Sequence, residues 1–190
     1  MSDDRHRFDP QRKHMLLDPE REAHWDPPVF LSRLGIKLGQ TVLDVGSGPG
    51  FWTLPLANMV GPQGTVWALD VSQELLDDLA ARNPAPQVRL QRTDLPQTGL
   101  PAAAADLAWL AFVFHEVMPP QQLSAELRRV VKADGKVAVL DWRPDGTGEV
   151  GAPRAHRVWP AQVIEWLKSA GFGQVQQTWQ DEDSYLVEAK

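Results

Sequence analysis

From Val29 onward the chain alternates two kinds of segment, and this alternation limits the fold more than any other feature. Short β-branched or apolar runs recur at Thr41–Val45, Thr65–Asp70, Val88–Thr93, Asp106–Val113 and Lys136–Trp142. Helical spacing of apolar residues marks Val29–Leu34, Trp52–Val60 and the segment with Leu75, Leu76 and Leu79. It recurs in the segment opened by Pro119 and Pro120, which carries Leu123, Leu127, Val130 and Val131. A strand, a helix and a second strand in succession imply a parallel pair, because the right-handed crossover needs the helix to carry the chain back. The run Asp106–Val113 is nearly all apolar, as a strand buried on both faces should be.

Local signals set the boundaries. Ser72 is placed to cap the helix bearing Leu75, and Asn83-Pro84 ends it. Gly61-Pro62-Gln63-Gly64 is a turn, Gly135 stands just past the helix opened by Pro119 and Pro120, and a last helix runs from Pro160 through Ala170 to a stop at Gly171. Gln174–Gln180 and Ser184–Glu188 then read as two strands joined by Asp181-Glu182-Asp183. With no helix between them they must pair as a hairpin, so one runs antiparallel. The expected fold is α/β: a doubly wound, seven-stranded, mostly parallel sheet with an antiparallel C-terminal hairpin. Trp67, inside the second strand, and Trp159, Trp166 and Trp179 are expected to pack in the interior.

Residues 1–28 differ. Asp9-Pro10, Asp18-Pro19 and Asp26-Pro27-Pro28 break them into pieces, with short helices expected around Arg12–Leu17 and Pro19–Trp25. Leu16, Leu17 and Trp25 favour an arm docked as a lid over a solvated tail. The expected division is an arm over 1–28 and one domain over 29–190.

Composition excludes several classes. Across 190 residues, 43% are hydrophobic and 23% charged, enough for an ordinary core. With 25 acidic against 19 basic residues the net charge is -6, which argues against nucleic acid as a partner. The longest apolar run, Leu107–Phe114, falls well short of the roughly 18–20 residues of a membrane span. The first seven residues, Met1–Arg7, are polar and open no signal peptide, so a cytoplasmic location is expected. There is no cysteine, hence no disulfide, thiolate metal site or cysteine nucleophile.

In such a sheet, ligands sit beyond the carboxyl ends of the strands. The first of these ends reads Asp44-Val45-Gly46-Ser47-Gly48-Pro49-Gly50. Alternate glycines allow a tight bend and close approach of a ligand, and the following helix offers free N–H groups to an anionic one. The dinucleotide fingerprint needs its third glycine where Phe51 stands, and no Gly-Lys-Ser/Thr ending makes a P-loop. Asp70 closes the second strand, where a carboxylate can accept both hydroxyls of a ribose. Asp94 closes the third and can accept from an exocyclic amine.

These motifs, Val42 through Gly50, Ala68-Leu69-Asp70 and Thr93-Asp94, resemble the cofactor site of class I S-adenosylmethionine-dependent methyltransferases. The resemblance covers about residues 35–190 and implies the Rossmann-like fold of that family. It assigns cofactor binding to Asp44, Gly46, Ser47, Gly48, Gly50, Asp70, Val71, Asp94 and Leu95. The glycine loop would hold the methionine portion, Asp70 the ribose and Asp94 the adenine amine. Asp18-Pro19-Glu20-Arg21, Phe114-His115-Glu116 and Gly151–Arg157 also resemble small bacterial and archaeal members near the ubiquinone/menaquinone methyltransferase branch.

What the resemblance implies is in-line methyl transfer from S-adenosylmethionine to a small-molecule acceptor. The alternative is a cofactor-binding partner or sensor without turnover, and Phe51 opposes a nicotinamide oxidoreductase. A sulfonium methyl needs no activation, so a base is required only if the acceptor must lose a proton. His115, after the fourth strand, is the candidate base, with bracing of its loop as the competing role. His115-Glu116 begins like a zinc-protease helix, but Pro119 takes the place of the second histidine, so no metal is expected. Trp25, Arg143 and His156, with His14, His24, Asp145, Arg154 and Arg157 nearby in sequence, can wall an acceptor pocket for a planar or anionic molecule. The Asn/Asp-Pro-Pro-aromatic signature of base-amine methylation is absent after the fourth strand, which reads Phe112-Val113-Phe114-His115.

Overall fold

A computed structural model describes residues 8–190; the polar stretch Met1–Arg7 lies outside the described residues. The chain divides into two compact units, Phe8–Asp94 and Leu95–Lys190.

The first unit opens with a 3-10 stretch, Pro10–Leu17, then α1 (Pro19–Trp25) and α2 (Pro27–Ser32). There follow β1 (Thr41–Val45), α3 (Thr53–Val60), β2 (Thr65–Asp70), α4 (Gln73–Ala81) and β3 (Val88–Arg92). The strands lie in the order β3-β2-β1, all parallel, with Val45 beside Leu69 and Asp70 beside Arg92. Their carboxyl ends therefore line up, and the residues just beyond them share one edge. Leu56 and Val60 of α3 and Leu75, Leu76 and Leu79 of α4 are buried, as their helical spacing requires. Ser72 caps α4 as expected, its side chain accepting from Leu75 N–H.

Each Asp-Pro pair in the arm begins an element. Asp9, Asp18 and Asp26 each accept a backbone N–H from the following turn (Gln11, Glu20 and Val29), while the proline fills a position that needs no donor. Trp67 corrects an expectation: it is half-buried, while Val66 and Ala68 on either side are buried.

The second unit contains β4 (Ala105–Ala111), a 3-10 turn over Phe114–Glu116, α5 (Pro120–Val130) and β5 (Val131–Trp142). A 3-10 turn at Arg154–His156, α6 (Pro160–Ser169), β6 (Val175–Gln180) and β7 (Ser184–Ala189) complete it. The order is β4-β5-β7-β6; β4 and β5 are parallel, and β7 runs antiparallel to both its neighbours. β4 is buried along nearly its whole length.

Two expectations fail in this unit. Gly135 is not past a helix end but inside β5, which starts directly after α5. There the β4–β5 register shifts between Ala105 and Leu107, and a Cβ on Gly135 would stand 2.8 Å from the Asp106 carbonyl oxygen. The bulge brings backbone against backbone, so the glycine marks a close approach. Trp159 is 48% exposed at the N-terminus of α6. Trp166 is half-buried and stacks on Phe114 with ring centroids 6.0 Å apart; Trp179 is also half-buried.

Candidate active site

In the first unit the glycine loop is tied down from both sides. Gly46 and Ser47 both donate their N–H to the Leu69 carbonyl, at 2.7 and 2.9 Å. Gly48 N–H donates to Asp70 Oδ2 at 2.8 Å, and Ser72 N–H to Asp70 Oδ1 at 2.8 Å. The acid of the second strand thus bonds directly to the loop after the first. Burial raises the Asp70 carboxyl above its ordinary range, against the backbone donors at Ser72, Gly48 and Val71. Val71 is half-buried, and its carbonyl accepts from Arg92 Nε at 3.1 Å.

Asp44 is 1% exposed and accepts from Thr53 Oγ1 at 2.6 Å. Burial pushes its carboxyl up to about 7, with Asp70 adding to the rise and the Thr53 hydroxyl opposing it. Gly50 has φ +91°, and a Cβ there would lie 2.3 Å from Leu79 Cδ1 on α4. It therefore does the close-packing work that the dinucleotide fingerprint gives to its third glycine, one position earlier. Ser47 Oγ is buried without a hydrogen-bond partner among the described residues. An orphaned hydroxyl inside a glycine bend is what a loop built for a polar ligand presents. Asp94 is exposed and lies two residues beyond β3; Leu95 is half-buried.

The arm rests on this loop. Leu16 Cδ1 lies 3.5 Å from where a Gly48 Cβ would be, and Lys13 Nζ pairs with Glu74 (3.0 Å) and Asp78 (2.7 Å) of α4. The Arg21 guanidinium lies 4.6 Å above the Phe51 ring, and burial lowers its pKa to about 10. Trp25 is buried in an aromatic cluster with Phe30 (centroids 5.4 Å) and Trp52 (6.2 Å), while His14 and His24 are exposed.

The second unit holds the other candidates. His115 is 7% exposed; its Nδ1 stands 2.7 Å from Asp141 Oδ1, and its backbone N–H donates to Asp141 Oδ2 at 3.1 Å. Burial pulls the His115 pKa down, but the charge and hydrogen bond of Asp141, helped by Glu116, outweigh it, and the net shift is upward. Tyr185, paired with Asp141 across β5 and β7, donates its hydroxyl to the Val158 carbonyl at 3.0 Å. Trp142 is stacked on Phe112 at 4.0 Å, and the Gly151 backbone presses on the same indole.

Arg143 is engaged within its own region: it pairs with Asp145 at 3.0 Å and donates to the Asp181 carbonyl at 2.6 Å. His156 is half-buried in its 3-10 turn. Arg157 donates to the carbonyls of Ala152 (2.8 Å), Arg143 (3.0 Å) and Val150, and Arg154 to those of Gly146 and Thr147. Asp141 lies within the expected strand Lys136–Trp142, and the sequence gives no sign of its pairing with His115. Nor does it signal the Asp44–Thr53 bond or the clasping arginines. Only the parallel pairing of β4 with β5 brings residues 115 and 141 together, and spacing along the chain carries no trace of that.

A family model described as a methyltransferase domain matches residues 43–139. A solved S-adenosylmethionine-dependent methyltransferase from Aquifex aeolicus is 31% identical, with a TM-score of 0.88 over 96% of this chain and 98% of that one. Its likeness extends the seven-stranded, mostly parallel Rossmann-like fold to the whole chain. A demethylmenaquinone methyltransferase from Lactobacillus johnsonii is 32% identical over 116 residues, 59% of this chain and 48% of that protein. The ubiquinone/menaquinone biosynthesis C-methyltransferase UbiE from Cupriavidus taiwanensis is 30% identical over 145 residues, 72% of this chain and 56% of that protein. The chain thus spans about half the length of the curated relatives it matches. On these grounds the chain belongs to the S-adenosylmethionine-dependent methyltransferases, near the ubiquinone/menaquinone branch, and S-adenosylmethionine is its cofactor.

Proposed function

We propose that this methyltransferase acts on a small aromatic acceptor of the quinol type. The names of its relatives, demethylmenaquinone and ubiquinone/menaquinone methyltransferases, support that acceptor class. When bound, S-adenosylmethionine supplies a methyl group already electrophilic on its sulfonium. The chain's residues therefore have to bind, orient and exclude water rather than activate the donor.

In this reading Asp70 takes the ribose hydroxyls with the lone pairs left over from Gly48 and Ser72, flanked by Val71. Gly46, Ser47, Gly48 and Gly50 shape the passage for the methionine portion, with the free Ser47 hydroxyl as a polar contact and Asp44 buried behind. Asp94, exposed beyond β3, meets the adenine amine, with Leu95 beside it. The observation that carries the reading is the Asp70–Gly48 bond, because it joins in space the two motifs that the resemblance required to act together. The arm serves as a lid, since Leu16 covers Gly48 and Lys13 fastens the 3-10 stretch to α4. His115 is the candidate catalytic group.

The test is incubation with methyl-labelled S-adenosylmethionine and a prenylated 1,4-naphthoquinol unsubstituted at its second ring position. Label in the naphthoquinol is the expected result. Tight cofactor binding by calorimetry, with no label in that acceptor or in a metabolite extract, would refute it and favour a sensor.

A further inference from the structure

We infer that Asp141 is a positioning residue that fixes His115 as a general base, so that this enzyme's acceptor is a hydroxyl compound, a phenol or quinol, which must lose a proton when methylated. This rests on the methyl-transfer reading above and adds how the acceptor's proton is removed.

The geometry determines the tautomer. Asp141 already accepts two backbone N–H groups: that of His115 at Oδ2 (3.1 Å) and that of Trp142 at Oδ1 (2.8 Å). Fixed donors on both oxygens keep the carboxylate an acceptor, so the 2.7 Å contact with the ring is Nδ1–H donating to Oδ1. In the neutral ring the lone pair is then on Nε2. Nε2 stands 3.8 Å from Glu116 Oε1, beyond hydrogen-bond reach, and among the described residues it makes no hydrogen bond. A carboxylate aligned on Nδ1, with Nε2 left without a hydrogen bond, is the arrangement a general base needs. The pair also stands where an open α/β sheet binds ligands: His115 in the turn after β4, Asp141 at the carboxyl end of the neighbouring β5.

The charged and titratable groups around the ring are Asp141 from β5, Glu116 from its own turn and Arg157 from the following loop, with Tyr185 of β7 beside Asp141. The two acids favour the imidazolium, while burial and Arg157 oppose it, so the ring can hold a proton briefly and release it.

In the step itself, Nε2 takes the acceptor's hydroxyl proton, and the O–H electron pair stays with the acceptor. That pair, on oxygen or on a conjugated ring carbon, forms the new bond to the methyl carbon. The carbon–sulfur bond breaks, and its pair remains on sulfur as the neutral thioether of S-adenosylhomocysteine. On a carbon acceptor, the ring proton lost as aromaticity returns is balanced by one regained at oxygen. One proton is released in either case, from the imidazolium to water.

The test combines nitrogen NMR of histidine-labelled protein saturated with S-adenosylhomocysteine and the pH dependence of naphthoquinol methylation. In the wild type, His115 should be the Nδ1–H tautomer, and kcat should fall as the ring becomes protonated at low pH. In Asp141→Asn the amide N–H₂ can turn to the ring, which then shifts to Nε2–H. We expect kcat to drop about 10²-fold with KM nearly unchanged, and the rate to recover at pH values where the quinol ionises unaided. His115→Asn, which leaves Asp141 in place, should show the same loss and the same recovery, and serves if Asp141→Asn fails to fold. An Nε2–H tautomer in the wild type, or an unaltered pH profile in either variant, overturns the inference. A wild type with the Nδ1–H tautomer that leaves naphthoquinol unmethylated supports the pair and refutes instead the quinol acceptor.

Discussion

Replacing Gly50 with alanine tests the architecture of the glycine loop. Gly50 has φ +91°, and an added Cβ would stand 2.3 Å from Leu79 Cδ1, 3.3 Å from Cγ and 3.4 Å from Cδ2. Leu79 is fully buried and cannot swing away. Two costs add. Holding an L-residue in left-handed backbone costs about 1–2 kcal/mol, and forcing a methyl into a packed core about 1–3 kcal/mol. Gly50→Ala should therefore destabilise the fold by about 2–5 kcal/mol, read from urea unfolding followed by tryptophan fluorescence. Leu79→Ala alone should cost about 2–5 kcal/mol through the cavity it leaves. The double variant has room for the new methyl, so it should be less destabilised than the sum by about 1–3 kcal/mol. Additivity within about 0.5 kcal/mol would refute the clash. A Gly50→Ala protein as stable as the wild type would refute the backbone argument too.

Three further outcomes follow from the first unit. Asp70→Ala removes the acceptor of Gly48 and Ser72 N–H, and should weaken S-adenosylhomocysteine binding at least about tenfold by calorimetry; unchanged affinity would contradict its role. Asp44 ionises near pH 7 in the fold and near 4 when unfolded, so between these values the folded chain holds a proton that the unfolded chain has lost. Its contribution to stability should thus fall as pH rises from about 4 to about 7, by on the order of 4 kcal/mol, then level off. Urea melts across that window should be flatter for Asp44→Asn, and equal slopes would disprove the assignment. Lys13→Glu sets like charges against Glu74 and Asp78, and should speed amide exchange over residues 10–17 while sparing β1 and β2.

Local chemistry was legible where it was itself the cause of structure. The strands β1 and β2 stand at their expected bounds because β-branched runs with turn residues on both sides leave little choice. The glycine bend and Asp70 were visible because each ends a strand on the same edge, and their bond follows from the parallel register of β1 and β2. Gly135 misled because a glycine after an apolar helix usually ends it. Here its missing Cβ permits the close approach to Asp106, which depends on how β4 and β5 pair. Trp159 misled because hydrophobicity was read without position: at the entry of α6 it need not face inward. The Asp141–His115 contact was hidden for the same reason as Gly135, since only strand adjacency creates it.

The clasp formed by Arg154 and Arg157 has an evolutionary consequence. Both hold residues 143–152 through main-chain oxygens, which every residue type supplies alike. Exposed positions such as Glu149 and Val150 can then be exchanged without loosening the segment. The segment's sequence can therefore drift while its backbone path is kept.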